Sequence, residues 1–598
     1  MASLLSLLGT PTIRMARIAC LAVLAAGLVF AALPAAAAPA WMRTAEVRPG
    51  MRGVARTVVR GTTVESFDIE VLSVLPNAAP AGDLFLIRAS GPIIQKTGGI
   101  AAGMSGSPVF LQGRLAGAIG YGWAFADHSL GLVTPIETMM RALPASRAER
   151  RGVERFALPR PVRVGDRHIN EVAIVPNAAA GVALEQRAPG VLPVVSLAIP
   201  LLVSGLGPRA AQLLGTELSP LGVTPVEGAS GGPTDARPHL VPGSAIAVQL
   251  IRGDVNVASI GTLTYRQGDT LLAFGHPFLN RGKTAYLLSS AVIHQVVRSA
   301  SFPFKIGSPG APVGIISEDR RSGIGGKLGT LPPMVGIRTI VRDDDRGRSV
   351  TMGTRIVRDP QIGPLLALVS ALEAVDRALD RVGEGTARVR LTLRGRGLDS
   401  EVVRENVFYH PRDIGSAAML ELPEALRLLF SNEFVRTTPV DVTIEVDVQQ
   451  SRLTAAVIEA DVERTRVRRG ESVVVRVTLR PFQGVPIART IDVAVPETFP
   501  TGAAAVVVRA GGRPMPEQGL PALLTVESPE PAVGSAADQL AAFAERERNT
   551  DVIVELVPGA ARFPDGSGGT TARASRVRVP TSWVVRGRTQ VSITVDAR

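Results

Sequence analysis

The sequence predicts a mostly β protein built from several domains. Its 598 residues exceed what one hydrophobic core holds, because a domain takes about 150 residues. Hydrophobic residues make up 46% of the chain and aromatic residues only 4%, so we expect cores of aliphatic strands. Short β-rich runs separated by turn residues recur along most of the chain, as in "TVVRGTTVESFDIEVLSVLP", and an all-helical fold is not expected.

The N-terminal segment has the pattern of an export signal. Arg14 and Arg17 precede the apolar run "IACLAVLAAGLVFAALPAAAAPA", whose small residues offer Ala-x-Ala cleavage sites near Ala38 or Ala40. An uncleaved anchor is the alternative, because the apolar run from Ile18 approaches the ~20 residues that span a bilayer. We therefore expect an exported protein, in the periplasm, the cell envelope or outside the cell, that touches the membrane only if this segment stays uncleaved.

Composition excludes several kinds of site. Cys20 is the only cysteine and lies inside the export segment, so the mature chain would have no disulfide, thiolate metal site or cysteine nucleophile. The formal charge of +12 comes almost wholly from arginines that alternate with acidic residues and form no basic stripe. The histidines show no metal-ligand spacing. We expect no nucleic-acid partner, no metal and no cofactor.

The stretch "TGGIAAGMSGSPVF", residues 97–110, is a glycine-rich loop that leads directly into a strand. Gly103 and Gly106 allow the backbone angles of a tight turn around Ser105, and the Gly103 and Ser105 amides can point together at a developing negative charge. Acyl transfer by serine needs such a hydroxyl, such a pair of amides and an imidazole within hydrogen-bond reach. A plain glycine turn between two strands is the alternative interpretation.

Six histidines are candidates for the base. His276 differs from the others because it lies between Gly275 and Pro277 at the end of an apolar strand, where the chain geometry is fixed and the ring can face a cleft. A second glycine pattern, "SGLGPRAAQLLG", has the spacing of a dinucleotide-binding turn. No repeated βαβ pattern follows it, so we expect no dinucleotide site.

Three stretches together resemble the SpoIVB-type serine peptidase family: "VESFDIEVLSV", "TGGIAAGMSGSPVFLQGRLAGAIGYGWAFADHSLG" and "IGTLTYRQGDTLLAFGHPF". The resemblance implies a trypsin-like β-barrel peptidase module that acts on polypeptides, with Ser105 as nucleophile and His276 as catalytic histidine. In the family the histidine stretch precedes the serine stretch, whereas here it follows. We interpret the order as a circular permutation, which folds tolerate because domain termini usually lie close together at the surface.

The sequence leaves the identity of the third catalytic residue open. At the position of the family's acidic residue this chain has Ser90, which cannot hold an imidazolium by charge, and loss of a triad acid costs on the order of 10⁴-fold in turnover. Asp68, Glu70, Asp83 and Asp127 are substitutes, although each also fits a turn or a solvated surface position.

These signals divide the chain into seven predicted segments. They are a signal peptide at 1–40, the serine half of the peptidase module at 41–145, a linker or inserted domain at 146–240, the histidine half at 241–345, an α+β region at 346–450, a β-sandwich-like domain at 451–515 and an α+β tail at 516–598. The α+β region includes a helix expected from Pro364 to Val382, with Gly383 as its stop.

The function predicted from the sequence is that of an exported serine endopeptidase of the SpoIVB type. The alternative is a catalytically inactive, peptidase-like scaffold or peptide-binding protein of the cell envelope, which Ser90 favours. The partner is a polypeptide substrate in the first case and a peptide ligand in the second.

Overall fold

The computed structural model describes residues 41–79, 82–123, 127–141, 154–164, 167–175, 200–228, 237–398, 400–430, 438–512, 536–559 and 575–597, with parts of 183–196 and residue 524. The described chain is mostly strand, which confirms the predicted fold class. The predicted signal peptide and Cys20 lie outside the described residues. No helix in the described ranges is both long and apolar enough to cross a membrane.

The first domain is a closed antiparallel barrel of six strands, here called the serine barrel. The strand order is β1-β2-β3-β6-β5-β4, and β4 pairs again with β1, which closes the sheet. Its interior is filled by aliphatic and phenylalanine side chains such as Phe67, Phe85, Ile87 and Val133. The elements are β1 (Arg52–Val58), β2 (Val64–Ala79), β3 (Gly82–Ser90), α1 (Pro92–Thr97), β4 (Pro108–Leu111), β5 (Arg114–Gly122), β6 (Leu130–Pro135) and α2 (Ile136–Arg141), preceded by a 3₁₀ turn at Thr44–Glu46.

A short β-rich segment lies between the barrels in the chain. Strands β7 (Glu154–Val164), β8 (Arg167–Val175) and β9 (Val191–Ser196) extend the sheet of the serine barrel from β5. A parallel βαβ unit follows, formed by β10 (Pro200–Ser204), α3 (Pro208–Leu218) with a 3₁₀ turn at Ser219–Leu221, and β11 (Thr224–Glu227). The Gly207 amide at the start of α3 donates to the Glu373 carboxylate at 2.5 Å. In the glycine turn with dinucleotide-like spacing, this amide is therefore already bound to a side chain of the protein.

The second closed barrel, here called the histidine barrel, also has six antiparallel strands. Each strand pairs with the next in the order β12-β13-β14-β17-β16-β15, and β15 returns to β12. The sequence pair Gln267-Gly268 predicts a tight turn here; the turn lies one residue later, at Gly268 and Asp269, and Gly268 has a φ of 59°. The strands are β12 (Ala245–Gly253), β13 (Asn256–Gln267), β14 (Thr270–Ala273), β15 (Gly282–Val297), β16 (Phe304–Arg320) and β17 (Gly323–Leu328).

The sheet of the histidine barrel continues past β12 into a helix-covered extension. Helix α4 packs on this extension and is apolar on nearly every side, and such a helix is stable only when buried. It ends at Leu379, where Asp380 adopts a left-handed φ of 52°. The elements are β18 (Met334–Asp343), β19 (Arg348–Val357), α4 (Gly363–Leu379), β20 (Gly385–Arg396), β21 (Val402–His410), α5 (Ile414–Ala418), α6 (Leu422–Phe430) and β22 (Thr438–Gln449).

The C-terminal part is a β-sandwich of two sheets, with strand orders β26-β25-β23-β30 and β24-β31-β27-β28-β29. Valines from both sheets fill its core, because alternate residues of each strand face inward. Its elements are β23 (Thr454–Val462), β24 (Arg466–Arg468), β25 (Ser472–Pro481), β26 (Ile487–Ala494), β27 (Gly502–Ala510), α7 (Ala536–Glu545), β28 (Asp551–Pro558), β29 (Ser575–Pro580), β30 (Val584–Arg586) and β31 (Arg588–Asp596). The sandwich therefore takes strands from the segment at 516–598.

Candidate active site

The glycine-rich loop forms a tight turn around Ser105 between α1 and β4. Gly103 and Gly106 have φ angles of 89° and 88°, which residues with a side chain rarely adopt. The Gly106 amide donates to the Ile119 carbonyl at 2.7 Å and ties the turn to β5. Among the described residues, the Gly103 and Ser105 amides have no acceptor. The oxyanion role of these two amides stays a prediction, and no internal hydrogen bond among the described residues competes with it.

The histidine barrel holds this loop from the other side. Thr262 donates its amide to the Ser105 carbonyl at 2.8 Å and its hydroxyl to the Gly103 carbonyl at 3.0 Å. The Thr264 hydroxyl donates to the Gly106 carbonyl at 2.8 Å. A Cβ on Gly106 would lie 2.0 Å from the Thr262 carbonyl oxygen, so the two backbones touch there. The serine and histidine stretches, far apart in sequence, thus share one interface.

The chain after β14 carries His276 to the same interface. Gly275 has a φ of 70°, and its carbonyl accepts a hydrogen bond of 2.5 Å from the Thr134 hydroxyl on the serine barrel. A Cβ on Gly120 would lie 2.4 Å from that carbonyl oxygen. Close backbone contact with β5 and β6 therefore sets the position of His276.

The imidazole of His276 is fully buried and has a defined tautomer. Its Nδ1–H donates to the Pro277 carbonyl at 2.7 Å, which leaves Nε2 as the acceptor nitrogen. Burial lowers the pKa of His276 from 6.5 to about 4, although the bond to Pro277 opposes the shift. The ring is therefore neutral at pH 7 and has its basic nitrogen available. The rings of Tyr121 and Phe274 lie beside it, with centroids 6.2 and 5.8 Å away.

The reactive atoms of both residues are buried and unpaired. Ser105 Oγ and His276 Nε2 have no hydrogen-bond partner among the described residues, so the bond of an assembled serine-histidine pair is not formed in this structure. An unsatisfied buried polar group costs about 1–3 kcal/mol. Ser107 Oγ in the same loop is buried and unpaired as well, so the missing partner does not by itself distinguish Ser105.

The candidates for a third member all lie on the serine barrel. Ser90 and Asp68 face each other in the β3–β2 register and are exposed. Asp127 is exposed and accepts a hydrogen bond from the Ser129 amide, whereas Asp83 is half-buried at the start of β3. None of these four, nor Glu70, which lies 4.0 Å from Arg52, is the partner of His276 Nδ1, whose hydrogen bond goes to a backbone carbonyl.

Two buried charged residues near the site were not identified from the sequence. Lys305 is fully buried, its Nζ donates to the Thr57 hydroxyl at 2.8 Å, and its methylene groups lie against Gly103. Burial lowers the pKa of Lys305 from 10.5 to about 7. The sequence hinted at Lys305 only through the rarity of lysine, since four of the 65 Lys and Arg residues are lysines. Lys305 therefore lines the loop that carries the two free amides.

The second is Asp319, a fully buried carboxylate at the end of β16. It accepts hydrogen bonds from the Phe278 and Leu279 amides, both at 2.8 Å, and from the Arg281 amide at 3.2 Å. Burial raises the pKa of Asp319 to about 6, and the amide hydrogen bonds oppose that shift. Its sequence context, "ISEDRRSG", resembles a surface turn, so no local pattern marked it. Within the described ranges, no group of three or more histidine or acidic residues is placed to hold a metal ion.

Two antiparallel six-stranded barrels meet at an interface that carries the serine loop and the histidine, so this part of the chain is a double β-barrel fold. The family model described as SpoIVB peptidase S55 matches residues 36–140, which contain Ser105. This segment is thus similar to the SpoIVB-type family, as the first two sequence stretches indicated, and the match supports a serine peptidase of that family; the third stretch, residues 260–278, lies outside the match. No curated protein and no solved structure matches the chain.

Proposed function

We propose that this protein is an exported serine endopeptidase in which Ser105 is the nucleophile and His276 the general base. The main support is one observation: the serine and the imidazole come from different barrels to a single interface, and both present a buried, unpaired reactive atom there. The free amides of Gly103 and Ser105 supply the oxyanion site.

The chemistry follows from these groups. His276 Nε2 accepts the Ser105 hydroxyl proton while Oγ bonds to the scissile carbonyl carbon, and the carbonyl electrons move to the oxygen between the two amides. The imidazolium then protonates the leaving amine, and water hydrolyses the acyl-enzyme by the same steps. The Pro277 carbonyl keeps Nδ1–H in place but carries no full charge, so the imidazolium is weakly stabilised and turnover is slow.

Access to the site requires a conformational step. Ser105 and His276 are both fully buried, so a polypeptide reaches them only after the surrounding segments move. The matched family segment is the serine half alone, and the histidine half follows it in this chain. A circular permutation of the family module accounts for this order, because each barrel closes on itself and the active site depends only on their docking.

Labelling with a fluorophosphonate tests the assignment of Ser105. The wild-type protein should take up one label on the peptide that contains Ser105, because only an activated serine reacts. Ser105→Ala should abolish the label. Ser107→Ala is the matched control, since Ser107 is also fully buried with an unpaired hydroxyl, and this variant should be labelled like wild type.

Two results would contradict the assignment. One is a wild-type protein that stays unlabelled and does not cleave denatured polypeptides, in which case the inactive peptide-binding scaffold becomes the better explanation. The other is a label that Ser105→Ala keeps and Ser107→Ala loses.

Export has a separate test. The charged N-terminus and the Ala-rich end of the apolar run lead us to expect a mature chain that begins near Pro39 or Trp41. N-terminal sequencing of periplasmic or secreted material measures this directly. Recovery of the Met1 terminus in the membrane fraction would contradict cleavage and favour the anchor.

A further inference from the structure

A single peptide unit joins the buried carboxylate of Asp319 to the imidazole of His276. The carbonyl of Pro277 accepts from His276 Nδ1–H at 2.7 Å. The amide of Phe278, the other half of that same peptide unit, donates to Asp319 Oδ1 at 2.8 Å. Peptide units are planar and rigid, so fixing the N–H end also fixes the direction of the carbonyl end.

The other oxygen of Asp319 holds the following residues. Oδ2 accepts from the Leu279 amide at 2.8 Å and from the Arg281 amide at 3.2 Å. Asp319 is fully buried and makes no ion pair among the described residues, so these backbone donors are what compensates its burial. The turn after the histidine is therefore built around one carboxylate.

We propose that Asp319 is the acid of this site and that it acts on His276 through the Pro277–Phe278 peptide unit. The negative carboxylate at the Phe278 N–H polarises the peptide unit and shifts electron density toward the Pro277 carbonyl oxygen. That oxygen therefore becomes a stronger acceptor for Nδ1–H. Asp319 is a positioning residue: it selects the tautomer that leaves Nε2 free and stabilises the imidazolium from a distance. This role rests on the proposed function. It supplies the negative charge for the imidazolium that Ser90 cannot supply.

The direct test is the tautomer of His276, measured by NMR on the full chain with ¹⁵N-labelled histidine. The His276 signals are assigned by their loss in His276→Ala. Wild type should show a hydrogen-bonded Nδ1–H and an unprotonated Nε2. Asp319→Ala should lose the Nδ1–H signal or mix the two tautomers, and Asp319→Asn, which keeps one acceptor oxygen, should lie between them. Glu318→Gln is the control, because Glu318 is a neighbouring buried acid that pairs with Arg320 and, among the described residues, accepts no hydrogen bond from an amide of the turn.

Labelling of Ser105 by fluorophosphonate provides the functional readout. Asp319→Ala should react at least about tenfold more slowly than wild type, because a displaced imidazole loses its alignment with the hydroxyl, and Glu318→Gln should react at the wild-type rate. A wild-type Nδ1–H signal in both Asp319 variants would overturn the proposal, and if Asp319→Ala does not fold, such a signal in Asp319→Asn alone would overturn it. If the wild type is never labelled, the peptidase assignment fails, but the tautomer measurement still decides the role of Asp319.

Discussion

Replacement of His276 by alanine is expected to slow the labelling of Ser105 by fluorophosphonate at least about 10³-fold. Removal of the base from a serine peptidase costs this much or more, since the serine hydroxyl is a poor nucleophile at neutral pH. The structure gives a specific reason for assigning the role to His276: its neutral ring, fixed through Nδ1, keeps Nε2 unprotonated at pH 7. The measurement is the second-order rate constant of labelling at pH 7.

His294→Ala is the control for this experiment. His294 belongs to the same barrel but is exposed, and its Nε2 bonds to the Ser308 hydroxyl at 2.8 Å. Its labelling rate should equal that of wild type. His276→Gln, which fills more of the buried space than alanine, separates loss of the base from a packing defect. Wild-type labelling in both His276 variants would place the base elsewhere, with buried Lys305 as the next residue to test.

Gly106→Ala is expected to lower the stability of the docked barrels by about 1–3 kcal/mol more than Gly113→Ala. Both glycines have positive φ angles, 88° and 75°, so both variants bear a similar backbone strain of about 1–2 kcal/mol. They differ in their surroundings. A Cβ at Gly106 would lie 2.0 Å from the Thr262 carbonyl oxygen and 2.5 Å from the Phe274 nitrogen, whereas nothing lies within 4 Å of one at Gly113.

Unfolding in urea measures this stability, and hydrogen exchange followed by mass spectrometry locates the change. Separation of the barrels would break the bond from the Thr262 amide to the Ser105 carbonyl, so exchange in β13 should accelerate in Gly106→Ala and remain slow in Gly113→Ala. Equal destabilisation by the two substitutions would mean that the close backbone contact at Gly106 contributes nothing beyond turn strain.

Local sequence patterns determined much of the fold and supplied the candidates for the site. The Gln267-Gly268 pair predicts the turn of its hairpin, and Pro364 with the following apolar residues predicts helix α4, because turns and helices depend on neighbouring residues. The glycines around Ser105 predict a strained loop with two free amides for the same reason. The choice of His276 among six histidines also came from its neighbours, Gly275 and Pro277, together with the resemblance to the SpoIVB-type family.

Only the tertiary structure decided which group binds Nδ1 of the imidazole. The sequence offered Ser90, Asp68, Glu70, Asp83 and Asp127 for the third member, yet the bond from Nδ1 goes to a backbone carbonyl, which every residue possesses. Asp319 and Lys305 lie in segments with ordinary surface composition, and they are buried because distant strands cover them. Burial, and the pKa shifts that follow from it, depend on how strands far apart in sequence pair and pack, and no local pattern encodes that arrangement.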